Sequence, residues 1–202
     1  MTGRVIFWIS GWSIPASSLR EAATRAFPTW HHEAIDAGPN ALACAHASEA
    51  TMLGGFSFGA NLLLSTNDPR PRLLLAPFVD LKSESRLGGA MASTRIRQQL
   101  RQLKRDPAGA VADFRRLVGM EHLPIDPRPE TTALAWGLEQ MLGAATVPPL
   151  LPPGSMAVVG RQDPLLDVDT LQTILPFLQV VDAAHDLERL LAAAAALEQD
   201  AA

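Results

Sequence analysis

Short apolar runs alternate with helical patterns along the first part of the chain. The predicted strands lie at 5–9, 31–35, 51–56 and 72–76. The predicted helices between them lie near 19–27, 42–47 and 58–65. The first run is wholly β-branched and aromatic, which is typical of a strand buried on both faces, and the alternation indicates βαβ units with a parallel sheet. Ser17 or Ser18 is expected to cap the first helix, which Pro28 ends.

The pattern changes between Lys82 and Leu150, where apolar residues recur at helical spacing and no strand is expected. Helices are predicted there at 93–104, 107–118 and 130–142. Alternation then resumes with strands at 156–159 and 178–181 and helices near 168–174 and from 187. We predict an α/β fold with a mostly parallel sheet of about six strands flanked by helices and interrupted by a helical lid. The predicted divisions are the N-terminal part of the core (1–81), the lid (82–150) and the C-terminal part of the core (151–202).

A G-x-S-x-G pattern centres on Ser57, with Gly55 and Gly59 on either side. It lies between a predicted strand and a predicted helix, which is the setting of a nucleophile elbow. The turn is so tight that bulky residues at the glycine positions would clash, and the serine backbone is strained. We therefore predict that Ser57 is a catalytic nucleophile. The alternative is a glycine-rich turn without chemistry.

A serine nucleophile needs a base, and in this arrangement the acid and the histidine follow the serine in the chain. Two histidines do so, and His122 falls in the helical lid. His185 follows the last predicted strand, and loops at the carboxyl ends of strands carry functional groups in open α/β sheets. We predict His185 as the base, with an ordinary surface loop histidine as the alternative.

The acid is expected in the loop after the preceding strand. Asp163 stands there, three residues beyond Gly160, and is predicted to orient the base and stabilise its cation. Asp167 and Asp169 are the alternatives, and either of them can instead cap the following helix.

An oxyanion intermediate needs two fixed N–H donors. One predicted donor is the backbone N–H of Phe58, directly after the nucleophile and at the start of a helix. The other is the N–H of Trp12, in the loop after the first strand, where Gly11 allows close approach. The alternative for Trp12 is a packing aromatic, and the two roles are compatible.

Together these segments resemble the α/β-hydrolase superfamily in order and spacing. The matching residues are Gly11-Trp12, Gly55-Phe-Ser57-Phe-Gly59, Gly160-Arg-Gln-Asp163 and Ala184-His185. The Gly-Trp pair, the short core and the helical lid resemble the pimeloyl-[acyl-carrier protein] methyl ester esterases of biotin synthesis. Two features depart from the common pattern: Ser10 replaces a frequent histidine, and the usual N-terminal antiparallel strands are missing.

The resemblance implies a small α/β-hydrolase core and a carboxylic-ester hydrolase that acts through an acyl-enzyme. Its substrate would be a small-molecule ester or an ester carried on an acyl carrier protein, and it would need no metal or organic cofactor. The alternatives are an acyl thioesterase with the same triad and a non-catalytic hydrolase-like interaction module.

The predicted lid has a distinct charge. Residues 82–116 contain nine Lys or Arg and three Asp or Glu, which gives this segment a charge of +6. Because the net charge of the chain is −4, the remaining residues together carry −10. Four basic residues fall on one face of one helix: Arg97, Arg101, Lys104 and Arg105. This basic face is expected to bind an acidic carrier protein, although charged faces are commonly just solvated.

The amino-acid composition limits which classes of protein this chain can belong to. The net charge of −4 and the 48% hydrophobic content favour a globular protein that binds neither nucleic acid nor a membrane. The single cysteine, Cys44, excludes an internal disulfide and a cysteine-built metal site. No stretch has the features of a signal peptide or a spanning segment, so a cytoplasmic location is expected.

Overall fold

The computed structural model describes residues 4–124, 130–145 and 151–200. Its centre is an open sheet of six strands, all parallel, in the order β2-β1-β3-β4-β5-β6. The strands are β1 (Val5–Ile9), β2 (His31–Ile35), β3 (Met52–Phe56), β4 (Arg72–Leu75), β5 (Met156–Gly160) and β6 (Leu178–Val181). The predicted α/β fold with a parallel sheet is therefore confirmed.

Burial explains why these segments form strands. Inner strands are covered on both faces, and Trp8, Leu53, Leu74 and Val158 have no exposed surface. The edge strands β2 and β6 are partly exposed and carry polar residues, as edges require. Ile9 pairs with residues of both neighbouring strands, so the carboxyl ends of β1, β2 and β3 meet at one edge of the sheet.

Eight α-helices are present among the described residues. They are α1 (Ala16–Ala26), α2 (Ala41–Ala47), α3 (Phe58–Leu64), α4 (Ser93–Arg105), α5 (Pro107–Leu117), α6 (Thr131–Leu142), α7 (Val168–Ile174) and α8 (Leu187–Asp200). α1 packs against α8, and α3 packs against β3 and β4. We call α4, α5 and α6 the lid helices: α4 packs on both of the others, and all three lie between β4 and β5 in the chain.

The start of α1 differs from the prediction. Ser17 and Ser18 lie inside the helix, which begins at Ala16, so their expected capping role is wrong. The carboxylate of Asp36, which follows β2, accepts a hydrogen bond from Ala16 N at 2.6 Å. A carboxylate from another element therefore satisfies the free N–H that a local serine was expected to bind.

Within the described ranges, the longest helices are too short or too polar to cross a bilayer.

Candidate active site

The connection of the strands marks one place on the sheet edge. From β1 the chain passes to β2 on one side, and β3 then pairs on the other side of β1. Ligands of open α/β sheets bind outside the carboxyl ends of the strands at such a switch point. Residues 10–13 follow β1 and are called here the oxyanion loop after the role that the sequence predicts for them, and Ser57 follows β3. Topology therefore points to the same place as the sequence motif.

Ser57 occupies a strained turn between β3 and α3. Its backbone angles are φ 53° and ψ −113°, in a region that residues with side chains rarely adopt. Such a conformation costs of order 1–3 kcal/mol and persists only when its surroundings hold it. Ser57 N donates to Leu75 O at 2.8 Å, and Ser57 O accepts from Asn61 N at 3.0 Å. The adjoining strand and helix thus fix the turn from both sides.

The two motif glycines are required by close contacts. A Cβ at Gly55 would lie 2.7 Å from Ala60 Cα, and one at Gly59 would lie 2.1 Å from Ile9 O. Both distances are below any real van der Waals contact. The glycines therefore let α3 start directly against the end of β1, as the steric interpretation of the motif expects.

Asp163 and His185 form a buried pair. His185 Nδ1 lies 2.6 Å from Asp163 Oδ2, and the two side chains are only 2% and 0% exposed. An ionised carboxylate only accepts hydrogen bonds, so in this contact Nδ1–H is the donor and Nε2 is left for another partner. Asp163 Oδ1 accepts from Leu165 N at 2.9 Å, which fixes the carboxylate. The pair can take up a proton at Nε2 and stabilise the resulting cation.

Backbone hydrogen bonds align the two loops that carry this pair. The Asp163 loop follows β5, and the His185 loop follows β6. Arg161 N donates to Val181 O and Gln162 N donates to Ala183 O, both at 2.9 Å. Sheet pairing therefore continues past the strands and sets the relative position of acid and base.

The two alternative acids are engaged elsewhere. Asp167 is the N-cap of α7 and accepts from Thr170 N at 3.2 Å. The hydrogen bonds from Thr170 also lower the pKa of the Asp167 carboxyl. The side chain of Asp169 is 89% exposed and lies 3.7 Å from Arg161. The structure thus brings Asp163, and neither alternative, to His185.

His185 also lies beside the serine turn. Its imidazole centroid is 5.0 Å from the ring centroid of Phe56, the residue before Ser57. Ser57 itself is 6% exposed, so the predicted nucleophile, acid and base are all withdrawn from bulk water. Charges that interact in such a place are screened much less than on the surface.

The predicted oxyanion donors lie where the lid meets the sheet edge. Phe58 is the first residue of α3, where backbone N–H groups have no acceptor within the helix. Its ring centroid is 5.7 Å from that of Trp136 on α6. Trp12 is buried in the oxyanion loop and packs edge-on against Phe114 of α5, with centroids 4.8 Å apart. Trp12 is therefore a packing aromatic, and the role of its backbone N–H stays a prediction.

A cavity adjoins this loop. Its volume is about 270 Å³, and it lies between the carboxyl ends of β1 and β2 and the lid helices. Its lining includes Gly11, Ile14, Val111, Arg115 and Leu134. Ser57, Asp163 and His185 are not among its lining residues, so the cavity lies beside the oxyanion loop and not over the acid–base pair.

The four predicted carrier-binding residues lie on the outer surface of α4. Arg97, Arg101, Lys104 and Arg105 are all exposed. Ile96 and Leu103, on the opposite side of the same helix, are buried. The basic face of α4 is thus turned to solvent.

Sequence reasoning missed one residue at the site. Arg115 on α5 is 3% exposed, whereas the side chain of its neighbour Arg116 is 70% exposed. Its guanidinium donates to the carbonyl of Ser13 in the oxyanion loop. One signal was available: Arg115 follows Val111 by one helical turn and so belongs to the apolar face of α5.

In the described part of the chain, no three His, Cys, Asp or Glu side chains cluster closely enough to hold a metal ion.

Comparison with known proteins finds solved structures with a similar fold and no match to a protein family. No family model and no curated protein matches the chain. The fold is similar to the bottromycin epimerase BotH, solved with bottromycin A2, with a TM-score of 0.65 and 14% identity over 96% of this chain and 90% of that one. It is also similar to the N-formylmaleamic acid deformylase Nfo of Pseudomonas putida S16, with a TM-score of 0.58 and 13% identity over 98% and 91%. The chain therefore has an α/β-hydrolase-like fold.

Proposed function

We propose that this chain is a serine hydrolase that cleaves carboxylic esters through an acyl-enzyme. The observation that carries the proposal is the buried hydrogen bond between His185 Nδ1 and Asp163 Oδ2, at the same sheet edge as the strained Ser57. A serine hydroxyl alone is a weak nucleophile, and an Asp–His pair supplies a base with a fixed tautomer. The hydrolase-like fold and the deformylase neighbour agree with this class of reaction.

The proposed reaction has two halves. Ser57 Oγ attacks the ester carbonyl carbon while its proton moves to His185 Nε2, and the N–H groups of Trp12 and Phe58 bind the oxyanion. The intermediate then breaks its bond to the alkoxy oxygen, which takes the proton from His185 and leaves as an alcohol. Water attacks the acyl-enzyme in the same way, so the acid is released and Ser57 recovers its proton. Water is the only co-reactant that the atom balance requires.

The burial of Ser57, Asp163 and His185 supports this chemistry. With little water present, fixed N–H dipoles and the Asp163 carboxylate act more strongly on charge that develops in the transition state. Exclusion of water also limits competing reactions of the intermediate. The lid helices contact the two predicted oxyanion donors, since Phe114 packs on Trp12 and Trp136 on Phe58, and they supply no reacting group.

At the level of the substrate, we propose an ester on an acidic carrier, namely the methyl ester of pimeloyl-[acyl-carrier protein] in biotin synthesis. The support is the resemblance in the sequence together with the exposed basic face of α4. A basic patch on an acidic protein steers an acidic partner toward that patch.

Two other functions are compatible with this fold. A thioesterase would cleave an acyl thioester with the same triad. A non-catalytic interaction module would keep the fold alone, and one fold hosts many functions. An epimerase and a deformylase on similar folds illustrate that range.

The test is hydrolysis of matched substrates by wild type, Ser57→Ala and Ser65→Ala. Ser65, at the other end of α3, is the control. The panel contains a methyl ester and a thioester of one acyl group, free and carrier-bound, and an N-formyl amide. Wild type and Ser65→Ala are expected to prefer the methyl ester, and Ser57→Ala to lose on the order of 10⁶ in kcat. Retention of more than about a hundredth of the activity by Ser57→Ala would contradict the proposal.

A further inference from the structure

A single buried side chain joins the lid to the oxyanion loop. Arg115 Nε donates to Ser13 O at 3.1 Å, and Nη2 donates to the same carbonyl. Nη1 donates to Leu123 O at 3.1 Å and to Pro124 O at 2.7 Å. One guanidinium thus ties together α5, the segment after it and the loop that carries Trp12.

The conformation of Ser13 explains why such a tie is needed. Ser13 has φ 63°, a left-handed conformation that is costly for a residue with a side chain. Asn and Asp commonly support this conformation through local hydrogen bonds. The Ser13 hydroxyl, however, is buried and has no hydrogen-bond partner within the described residues. The conformation must therefore be held from outside, and the two donors of Arg115 act directly on the Ser13 carbonyl.

The neighbouring Trp12 is held from the lid as well. Its indole Nε1 donates to Leu134 O on α6 at 2.8 Å, and its ring packs against Phe114, the residue before Arg115. Side-chain contacts therefore fix Trp12 while Arg115 fixes the residue after it. Together these contacts hold the Trp12 side chain and the Ser13 carbonyl, and they thereby restrict the backbone conformation at Trp12.

Packing alone gives no reason for an arginine at this position. Burial lowers the pKa of the Arg115 guanidinium, because removing a cation from water is unfavourable. An apolar side chain of similar volume in a buried site is often at least as stabilising as a buried ion. The guanidinium differs from such a side chain in its planar fork of donors, and that fork is what meets the Ser13 carbonyl.

We infer that Arg115 is a positioning residue, which holds Ser13 in its left-handed conformation and thereby aims the Trp12 N–H at the oxyanion. The inference rests on the proposed function, since it assigns a role in the same reaction. An oxyanion donor that is removed costs roughly 10²–10³ in rate, and small misplacements are also costly. Arg115 thus makes catalysis depend on the contact between α5 and the oxyanion loop.

The test compares Arg115→Lys and Arg115→Ala with Arg116→Ala, the exposed neighbour on the same helix. Steady-state hydrolysis of an aryl ester is measured per active site, with sites counted by titration with a fluorophosphonate. We expect kcat to fall by about 10- to 100-fold in both Arg115 variants with little change in KM, because the donor acts in the transition state. Arg116→Ala should match wild type.

Two further readouts separate positioning from simple damage. Affinity for a trifluoromethyl ketone, whose adduct with serine carries an oxyanion, should fall in parallel with kcat/KM across the variants. Added guanidinium ion should restore part of the kcat of Arg115→Ala and none of that of Arg115→Lys, whose ammonium occupies the site without a fork. If Arg115→Ala does not fold, the lysine variant and the ketone series carry the test.

Wild-type kcat per titrated site in the Arg115 variants would overturn the inference, as would unchanged ketone affinity. A rise in KM with kcat intact would also overturn it, because that result defines a substrate-binding residue. Failure of the proposed function looks different: Ser57→Ala would then be as active as wild type. Activity that needs Ser57 and ignores Arg115 would refute this inference alone.

Discussion

The carboxyl-end edge of the sheet and the lid helices contribute to the candidate site in different ways. The edge supplies every side chain that the proposed reaction uses, and backbone hydrogen bonds between neighbouring strand ends hold those side chains in place. The lid supplies contacts instead: Arg115 binds the oxyanion loop, Leu134 O accepts from Trp12, and Trp136 covers Phe58. The comparison teaches that chemistry and its geometric support are separable here. Substitutions at the carboxyl ends of the strands should abolish turnover, and substitutions in the lid helices should lower it only in part.

The largest expected effect concerns the reacting pair at the edge. Ser57→Ala and His185→Ala should each lower kcat by on the order of 10⁶, and the double variant should be no worse than either, because the residues act as one unit. Single-turnover hydrolysis of an aryl ester measures this. His122→Ala is the control, since His122 is an exposed lid residue that also follows Ser57 in the chain. Additive losses in the double variant would show that the two residues work separately.

A smaller effect is expected from the acid. Asp163→Asn should lower kcat by roughly 10⁴, the loss seen when a triad histidine has the wrong tautomer. Asp167→Asn is the matched control and should retain activity, because asparagine still caps α7. Kinetics and thermal unfolding of both variants provide the measurement. The assignment of the acid reverses if Asp167→Asn proves the more damaging.

A lid substitution should act on one kind of substrate only. With Arg97, Arg101 and Arg105 changed to Glu, kcat/KM for a carrier-bound methyl ester should fall by roughly 10- to 1000-fold through lost steering. Hydrolysis of a small neutral ester should stay near wild type. Salt should shrink the wild-type advantage, since the Debye length is about 3 Å at 1 M.

The control for this experiment moves the same charge elsewhere. Arg4, Arg20 and Arg25 are exposed outside the lid, and changing them to Glu gives the same net charge. This control should keep most of its activity on the carrier-bound ester. Equal losses in the two triple variants would mean that net charge matters and the basic face does not.

The smallest expected effect is on stability and lies in the sheet. His32 Nδ1 accepts from Trp8 Nε1 at 3.0 Å, and Nε2 lies 3.0 Å from Phe27 O, so the buried ring is held neutral. Burial lowers the pKa of His32 below 6.5, with a smaller contribution from nearby His31. The unfolded chain therefore binds this proton more readily, and stability present above about pH 6.5 is lost as the pH falls below it, by at most about 1.4 kcal/mol per pH unit.

Urea unfolding at pH 7.5 and pH 5.5 checks this prediction. The loss of unfolding free energy should shrink in His32→Gln and persist in His31→Gln, whose side chain is exposed on the same strand. Asp68 does not interfere, because hydrogen bonding from Arg70 lowers the pKa of its carboxyl to about 2, below this window. An unchanged pH dependence in His32→Gln would assign the effect to another group.

Much of this architecture could be predicted from the sequence because it is local. The strands are short apolar runs, and the turn at Ser57 is marked by glycines that steric contact requires. Its position three residues beyond Gly160 favoured Asp163 as the acid, with Asp167 and Asp169 as alternatives. The pairing of the loops after β5 and β6 decides between them, because it brings Asp163 to His185.

Contacts between distant segments could not be predicted in this way. Asp36 binds the first N–H of α1 across 20 positions of sequence, where a local serine cap was expected. Arg115 reaches Ser13 across 102 positions, and in the sequence it was one of nine basic residues in the lid region. A side chain that contacts a distant segment gives little signal in its own stretch of sequence. The contacts that support the site were therefore found only in the structure.

The most direct test of the central claim is to identify the residue that a fluorophosphonate labels. After labelling, digestion and peptide mass spectrometry locate the phosphonyl group in wild type, His185→Ala and Ser57→Ala. The account predicts near-stoichiometric labelling of Ser57 in wild type, much slower labelling without the base, and none in Ser57→Ala. Labelling of a different serine, or of Ser57 at the same rate without His185, would contradict it.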